Sequence, residues 1–200
     1  MRARKTETVV RKEQIAEAAL ELIGIEGVSA LSIAGIARRV GIVPSALYRH
    51  FKSKDDVVDA VLELLKYRLL NNVAEVRKET EGALDRLNSL LLRHARMLSE
   101  NRAIPLVVFS DGVYVGHSER KPIVAEIMTN YLSEIQTIIE EGKREGAIRE
   151  DVKPTTASVM FLGLILPAAV FWNVTEGGFD MMSHVDNVWP AFIRCIANDR

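Results

Sequence analysis

The stretch from Leu31 to Phe51, Leu-Ser-Ile-Ala-Gly-Ile-Ala-Arg-Arg-Val-Gly-Ile-Val-Pro-Ser-Ala-Leu-Tyr-Arg-His-Phe, leaves few folds open. Ile33, Ile36, Ala37 and Val40 recur on one face of a helix, and Ser32 is placed to cap its start. Gly41 supplies the positive φ that a tight turn needs. Pro44 stands where a second helix begins, a position at which its missing N–H costs nothing. In that second helix Leu47 and Phe51, four residues apart, point inward as anchors. Two short helices around a glycine turn, the second with a small, basic and aromatic outer face, make a helix-turn-helix.

Helical periodicity continues on both sides. Ile15, Ala18, Ala19, Leu22 and Ile23 predict a first helix, closed by Gly24 or Gly27. Ser53 and Asp56 form a Ser-x-x-Asp capping box, opening a fourth helix through Val57, Val58, Val61, Leu62 and Leu65 that runs past Leu70. Beyond it, Leu84, Leu87, Leu91, His94, Ala95 and Leu98 predict a fifth helix, and Pro105 with Gly112 and Gly116 marks a broken region around a short sixth. Pro122 starts a long helix that Gly142 and Gly146 end, Pro154 opens the most apolar one, and Val185 to Ile196 define the last. No strand alternation of any length interrupts this pattern. The sequence therefore predicts an all-α protein of about nine helices, with an N-terminal helix-turn-helix domain at 1–52 and a helical domain at 53–200.

Composition agrees with that class. Of 200 residues 48% are hydrophobic and only 6% aromatic, which suits helices with a real core better than a β-sandwich. A single cysteine, Cys195, excludes an internal disulfide and fits a reducing cytoplasm. No apolar segment precedes Glu13, so no secretory signal is evident. The most apolar run, Val159 to Trp172, is broken by Gly163 and Pro167 and is shorter than the roughly 18 residues that a bilayer requires. These features predict a soluble cytoplasmic protein with no membrane partner. The net charge of −1 conceals an asymmetry. Residues 1–54 hold ten Lys/Arg against five Glu, a net +5; the rest holds sixteen basic against twenty-two acidic residues, a net −6. A basic head on an acidic body suits a polyanion-binding module.

The helix-turn-helix gives that polyanion a definite form. Ser45, Ala46 and Arg49 are spaced to face a DNA major groove, with Arg49 suited to bidentate contact with guanine and Ala46 to a thymine methyl. Tyr48, His50 and Lys54 flank them as phosphate contacts, Lys54 aided by the positive end of the fourth helix. Ser32 can touch a phosphate while capping its helix, and the arm Arg2, Arg4, Lys5 adds nonspecific attraction. Leu47-Tyr48-Arg49-His50-Phe51 with Lys54 closely resembles the Leu-Tyr-x-His-Phe-x-x-Lys pattern of the TetR family of bacterial regulators. The resemblance covers residues 11–60 well and the rest only in general character. It departs at Gly35, where the family often has a better helix former, a cost of up to roughly 1 kcal/mol. Val43 and Pro44 likewise replace residues that are often polar.

The resemblance implies a homodimer on a palindromic double-stranded DNA operator, joined through the last two helices, and a small-molecule effector in the C-terminal domain. Phe161, Leu164, Ala168, Trp189 and Phe192 are the candidate dimer residues, offering small and aromatic groups at helical spacing. His94, Asp111, Tyr114 and Trp172 are the polar or amphipathic candidates for an effector site, with Met97, Phe109, Met128, Met160 and Phe171 as its apolar walls. Such a lining favours an apolar or aromatic ligand. No Gly-x-Ser-x-Gly, His-Glu-x-x-His, Cys-x-x-Cys or phosphate-binding glycine loop is present, so neither catalysis, a cofactor nor a metal is expected.

Overall fold

The structure, a computed structural model, describes residues 2–109, 111–115 and 117–198; the side chains of 2–8, 109, 111 and 112 lie outside that description. Among the described residues there are eleven helices and no strand, only an isolated bridge between Ile148 and Ala197. In order they are α1 (Arg2–Glu26), α2 (Ile33–Val40), α3 (Pro44–Leu47), α4 (Lys54–Glu79), α5 (Ala83–Glu100), α6 (Ala103–Phe109), α7 (Asp111–Tyr114), α8 (Arg120–Arg144), α9 (Pro154–Gly163), α10 (Leu166–Val174) and α11 (Met181–Ile196). The sequence reads 103–114 and 154–174 as one helix each, which gives its count of about nine; the second path is interrupted between Gly163 and Leu166.

Packing divides the chain into two compact units: residues 1–67 with 101–125, and residues 68–100 with 126–200. Helices α1, α2 and α3 all end before residue 52. The first unit extends beyond residue 52 because α6 packs along α1, drawing in a segment distant in sequence. Its core is Ile15, Ala19, Leu20, Ile23, Ile36, Leu47, Val57 and Val61, all withdrawn from water.

Local signals explain the helix ends. Ser32 caps α2, its Oγ accepting from Gly35 N–H at 3.1 Å. A Cβ on residue 35 would sit 3.1 Å from that same Oγ, so Gly35 makes room for the cap as well as costing helix propensity. Gly41 closes α2 at φ 75°, its N–H and that of Ile42 meeting the last carbonyls of α2. At α4 the capping box forms: Asp56 N–H donates to Ser53 Oγ at 3.1 Å, and Lys52 N–H donates to Asp56 Oδ2 at 2.7 Å. That backbone donor is the largest influence lowering the Asp56 pKa below the ordinary carboxylate range.

The second unit is built on α5, whose Leu87, Leu90, Leu91, Ala95 and Leu98 are buried, and on Ile135, Ile138 and Ile139 of α8. Gly142 lies inside α8 rather than ending it; the turn falls at Gly146, with φ 71°. The apolar run is longer than its sequence suggests, because helix extends beyond it at both ends. Taken as one path, Pro154–Val174 has 21 residues, long and apolar enough to cross a membrane by length and composition. It is interrupted between Gly163 and Leu166, and its inner face, Ala157, Phe161, Leu162, Ile165, Ala168 and Ala169, is buried within the second unit.

Candidate nucleic-acid interface

The α3 segment is held from behind and open in front. Leu47 is fully buried and Phe51 nearly so, with the Lys12 ammonium 5.6 Å from the centre of the Phe51 ring. On the other side Ser45, Tyr48 and Arg49 are exposed, and Ala46 and His50 are half-buried. Regular α-helix ends at Leu47; Arg49 N–H and His50 N–H then bond three residues back, to Ala46 and Leu47 at 3.3 and 2.9 Å. This tightened turn carries Tyr48, Arg49 and His50 on from the helix without a break in the hydrogen-bonded backbone. His50 Nδ1 is buried without a hydrogen-bond partner. Lys54 opens α4, and Ser32 is exposed at the cap of α2. All seven residues read from the sequence as DNA contacts therefore belong to the first unit, on α3, the turn after it, or a helix start. Arg2, Arg4 and Lys5 have side chains outside the described residues.

The support beneath this surface includes residues that sequence patterns did not single out. Arg39 Nε donates to Glu21 Oε2 at 2.8 Å, tying α2 to α1 through an exposed pair. Arg120 is more unusual, because its side chain is only 2% exposed. Its Nε donates to Asp59 Oδ1 at 2.7 Å, Nη2 to both the carbonyl and Oδ1 of Asp55 at 3.1 Å, and Nη1 to the Val113 carbonyl at 3.2 Å. Burial opposes the charge, but the two carboxylates outweigh it and the guanidinium holds its proton more firmly than usual. His117 joins the cluster, with Nε2 3.1 Å from Asp55 Oδ1 and Nδ1 3.1 Å from Glu119 Oε1. A lone arginine before Pro122 has no periodic signature, so nothing in the sequence marks it as the centre of a network.

Comparison with known proteins decides what this surface belongs to. The profile of bacterial regulatory proteins of the tetR family matches residues 15–61, and that of the C-terminal region of YsiA-like proteins matches residues 63–195. The chain belongs to the TetR family of bacterial regulators. As a member it is a DNA-binding transcription regulator and not an enzyme. It is similar to the fatty acid metabolism regulator protein of Bacillus subtilis, at 23% identity over 92% of this chain and 95% of that one. The nucleoid occlusion factor SlmA of Marinobacter nauticus is 26% identical over 74% of each chain. Among solved structures, the fatty acid degradation regulator FadR of Bacillus halodurans superposes with a TM-score of 0.79 at 20% identity, covering 92% and 94% of the two chains. FadR of Bacillus subtilis, solved in complex with stearoyl-CoA, gives 0.77 at 22% identity, covering 90% and 96%.

In this TetR-family chain the effector candidates fall in both units, Tyr114 in the first and His94, Met97, Met128, Met160, Phe171 and Trp172 in the second. His94 is buried on α5, and Tyr131 meets it edge-on, its hydroxyl 3.1 Å from His94 Nδ1. Burial lowers the His94 pKa to about 4 and raises that of Tyr131, so both are neutral and the phenol donates to the imidazole. Met97 Sδ accepts from Asn72 Nδ2 at 3.7 Å, and Met128 is half-buried on α8. The Tyr114 hydroxyl donates to the Val108 carbonyl. Phe109 and Asp111 have side chains outside the described residues. Trp172 lines a cavity of about 300 Å³ in the second unit with Ser99, Phe179, Asp180, Met181 and Met182. Met160 and Phe171 face outward, Phe171 stacking on Phe179 at 6.0 Å. Among the described residues no group of three metal-ligating side chains comes together.

The candidate dimer residues divide between two faces. Phe161, Ala168 and Phe192 are buried inside the second unit, whereas Leu164 and Trp189 are half-buried. An outward stripe runs beside them along α9 and α10: Val159, Met160, Gly163, Pro167, Val170, Phe171 and Val174. Its members recur at three- and four-residue steps straight across the break.

Proposed function

We propose that the chain is a dimeric repressor that reads a palindromic operator through α3 and releases it when a long-chain acyl thioester binds. The single observation that carries the DNA-reading role is the two-sided α3 segment: Leu47 and Phe51 locked in the core, with Ser45, Tyr48 and Arg49 open on the other side. The outward stripe on α9 and α10 supports dimerisation, because a contiguous apolar face of this kind is the common mark of a subunit contact. A two-fold pair is the usual closed form of such a contact. The stearoyl-CoA complex of the Bacillus subtilis neighbour and the name of the curated relative support the effector class. The chain acts in the cytoplasm, where its operator lies.

Release would work by population shift, the effector favouring an arrangement in which the two α3 segments no longer match the operator. Helices α4 and α8 both start in the first unit and continue into the second, and Arg120 links their starts through Asp55 and Asp59.

The test separates base reading from phosphate holding. Arg49→Ala should weaken operator binding by about 1–3 kcal/mol and relax preference at one base pair, while Lys54→Ala should weaken all sequences alike and flatten the salt dependence. Equal losses on every sequence for Arg49→Ala would remove its reading role. Titrating stearoyl-CoA into the wild-type complex should lower affinity roughly 5- to 150-fold; unchanged affinity would remove the acyl thioester from the account.

A further inference from the structure

The tip of α3 carries an apolar group that the fold does not use. Val43 occupies the N-cap position of α3, at φ −79° and ψ 148°, and makes no side-chain capping hydrogen bond. Its carbonyl accepts from Ala46 and Leu47 at 2.9 and 3.4 Å, so the backbone there is fixed while the side chain is spare. Val43 is 63% exposed, in contrast to the buried Leu47 four residues on. Ser, Thr, Asp or Asn at this position would cap the helix and stabilise it. Valine does neither that nor any core packing.

From this placement we infer that Val43 is a specificity-determining residue that reads the methyl group of a thymine in the operator. The inference rests on the DNA-binding role proposed above. In the major groove, base edges offer hydrogen-bond donors and acceptors and only one apolar group, the C5 methyl of thymine. Two methyls on a β-branched side chain held near one rotamer meet such a group with little loss of freedom. The neighbours are less suited to the task. Ala46 is half-buried, Ser45 ends in a hydroxyl, and Arg49 is matched to the polar edge of guanine. Val43 and Arg49 therefore divide the readout, one taking an apolar edge feature and the other a polar one.

The experiment begins with an operator selected by the full-length protein from random duplex DNA, in which each thymine is replaced in turn by deoxyuridine. Removing the contacted methyl should weaken wild-type binding about fourfold at one position in each half-site, and Val43→Ser should bind the thymine and deoxyuridine duplexes equally. The same variant should not lose thermal stability, since serine restores a cap; Val43→Ala provides a second variant without a new hydroxyl. A thymine preference that persists in both variants would assign the methyl to another side chain and overturn the inference. So would a wild-type protein indifferent to deoxyuridine at every position. Failure to enrich any sequence at all would instead remove the DNA-binding role on which the inference stands.

Discussion

Acidification from pH 6.5 to pH 4 should destabilise the protein by about 3 kcal/mol through His94 alone. In the unfolded chain the imidazole titrates near its ordinary 6.5, whereas in the folded protein burial lowers it to about 4. Between those values the unfolded form binds more protons, so falling pH favours unfolding. The stabilisation is complete above pH 6.5 and is lost as pH falls toward 4, below which both forms are protonated. The interval converts to about 3 kcal/mol at 1.36 kcal/mol per pH unit. Gln at this position keeps an acceptor for the Tyr131 hydroxyl but does not titrate there. Urea unfolding of wild type and His94→Gln across this range should show a pH-dependent difference that grows to that size. Identical pH slopes would mean that the imidazole is not held neutral by burial.

Loss of Arg120 should have a comparable effect at neutral pH. Arg120→Ala removes four hydrogen bonds and leaves Asp55 and Asp59 facing each other without their shared cation. Both carboxylates are nearly half exposed and can recover some hydration, so the cost falls below that of a fully buried pair. About 2–4 kcal/mol is expected. Arg120→Lys keeps the charge but not the planar fork, and should recover only part of the loss. The functional consequence separates this site from a simple stability element. With the starts of α4 and α8 untied, operator affinity without effector should change less than the response to effector does. Equal stability of Arg120→Ala and wild type in urea would contradict the assigned network.

The contrast between these two residues shows what sequence conveys. Leu47 and Phe51 were legible because burial at a four-residue interval repeats a helical period that the neighbouring residues confirm. Ser32 and Ser53 were legible because capping is local: donor and acceptor lie within three residues. Arg120 binds groups more than sixty residues away, and no local rule relates it to Asp55 or Asp59. The α9–α10 segment fails for a different reason. It is apolar on nearly every side, so periodicity reveals a helix but not which face turns inward; Phe161 and Ala168 went to the core while Val170 and Phe171 did not. His94 stands out as a polar residue among apolar ones, but its partner Tyr131 lies on another helix, 37 residues on, where no local rule relates the two. Val43 was visible as a departure from the family pattern, and its exposure at the tip of α3 is what turns that departure into a candidate contact.

Selection of random duplex DNA by the purified full-length protein tests the central claim most directly. A dimer that reads DNA through two α3 segments should enrich two inverted copies of one short motif, their centres about 34–36 Å apart or a multiple of that. Enrichment of a single uninverted motif would contradict the two-fold dimer, and a pool indistinguishable from the input would contradict sequence-specific DNA binding itself.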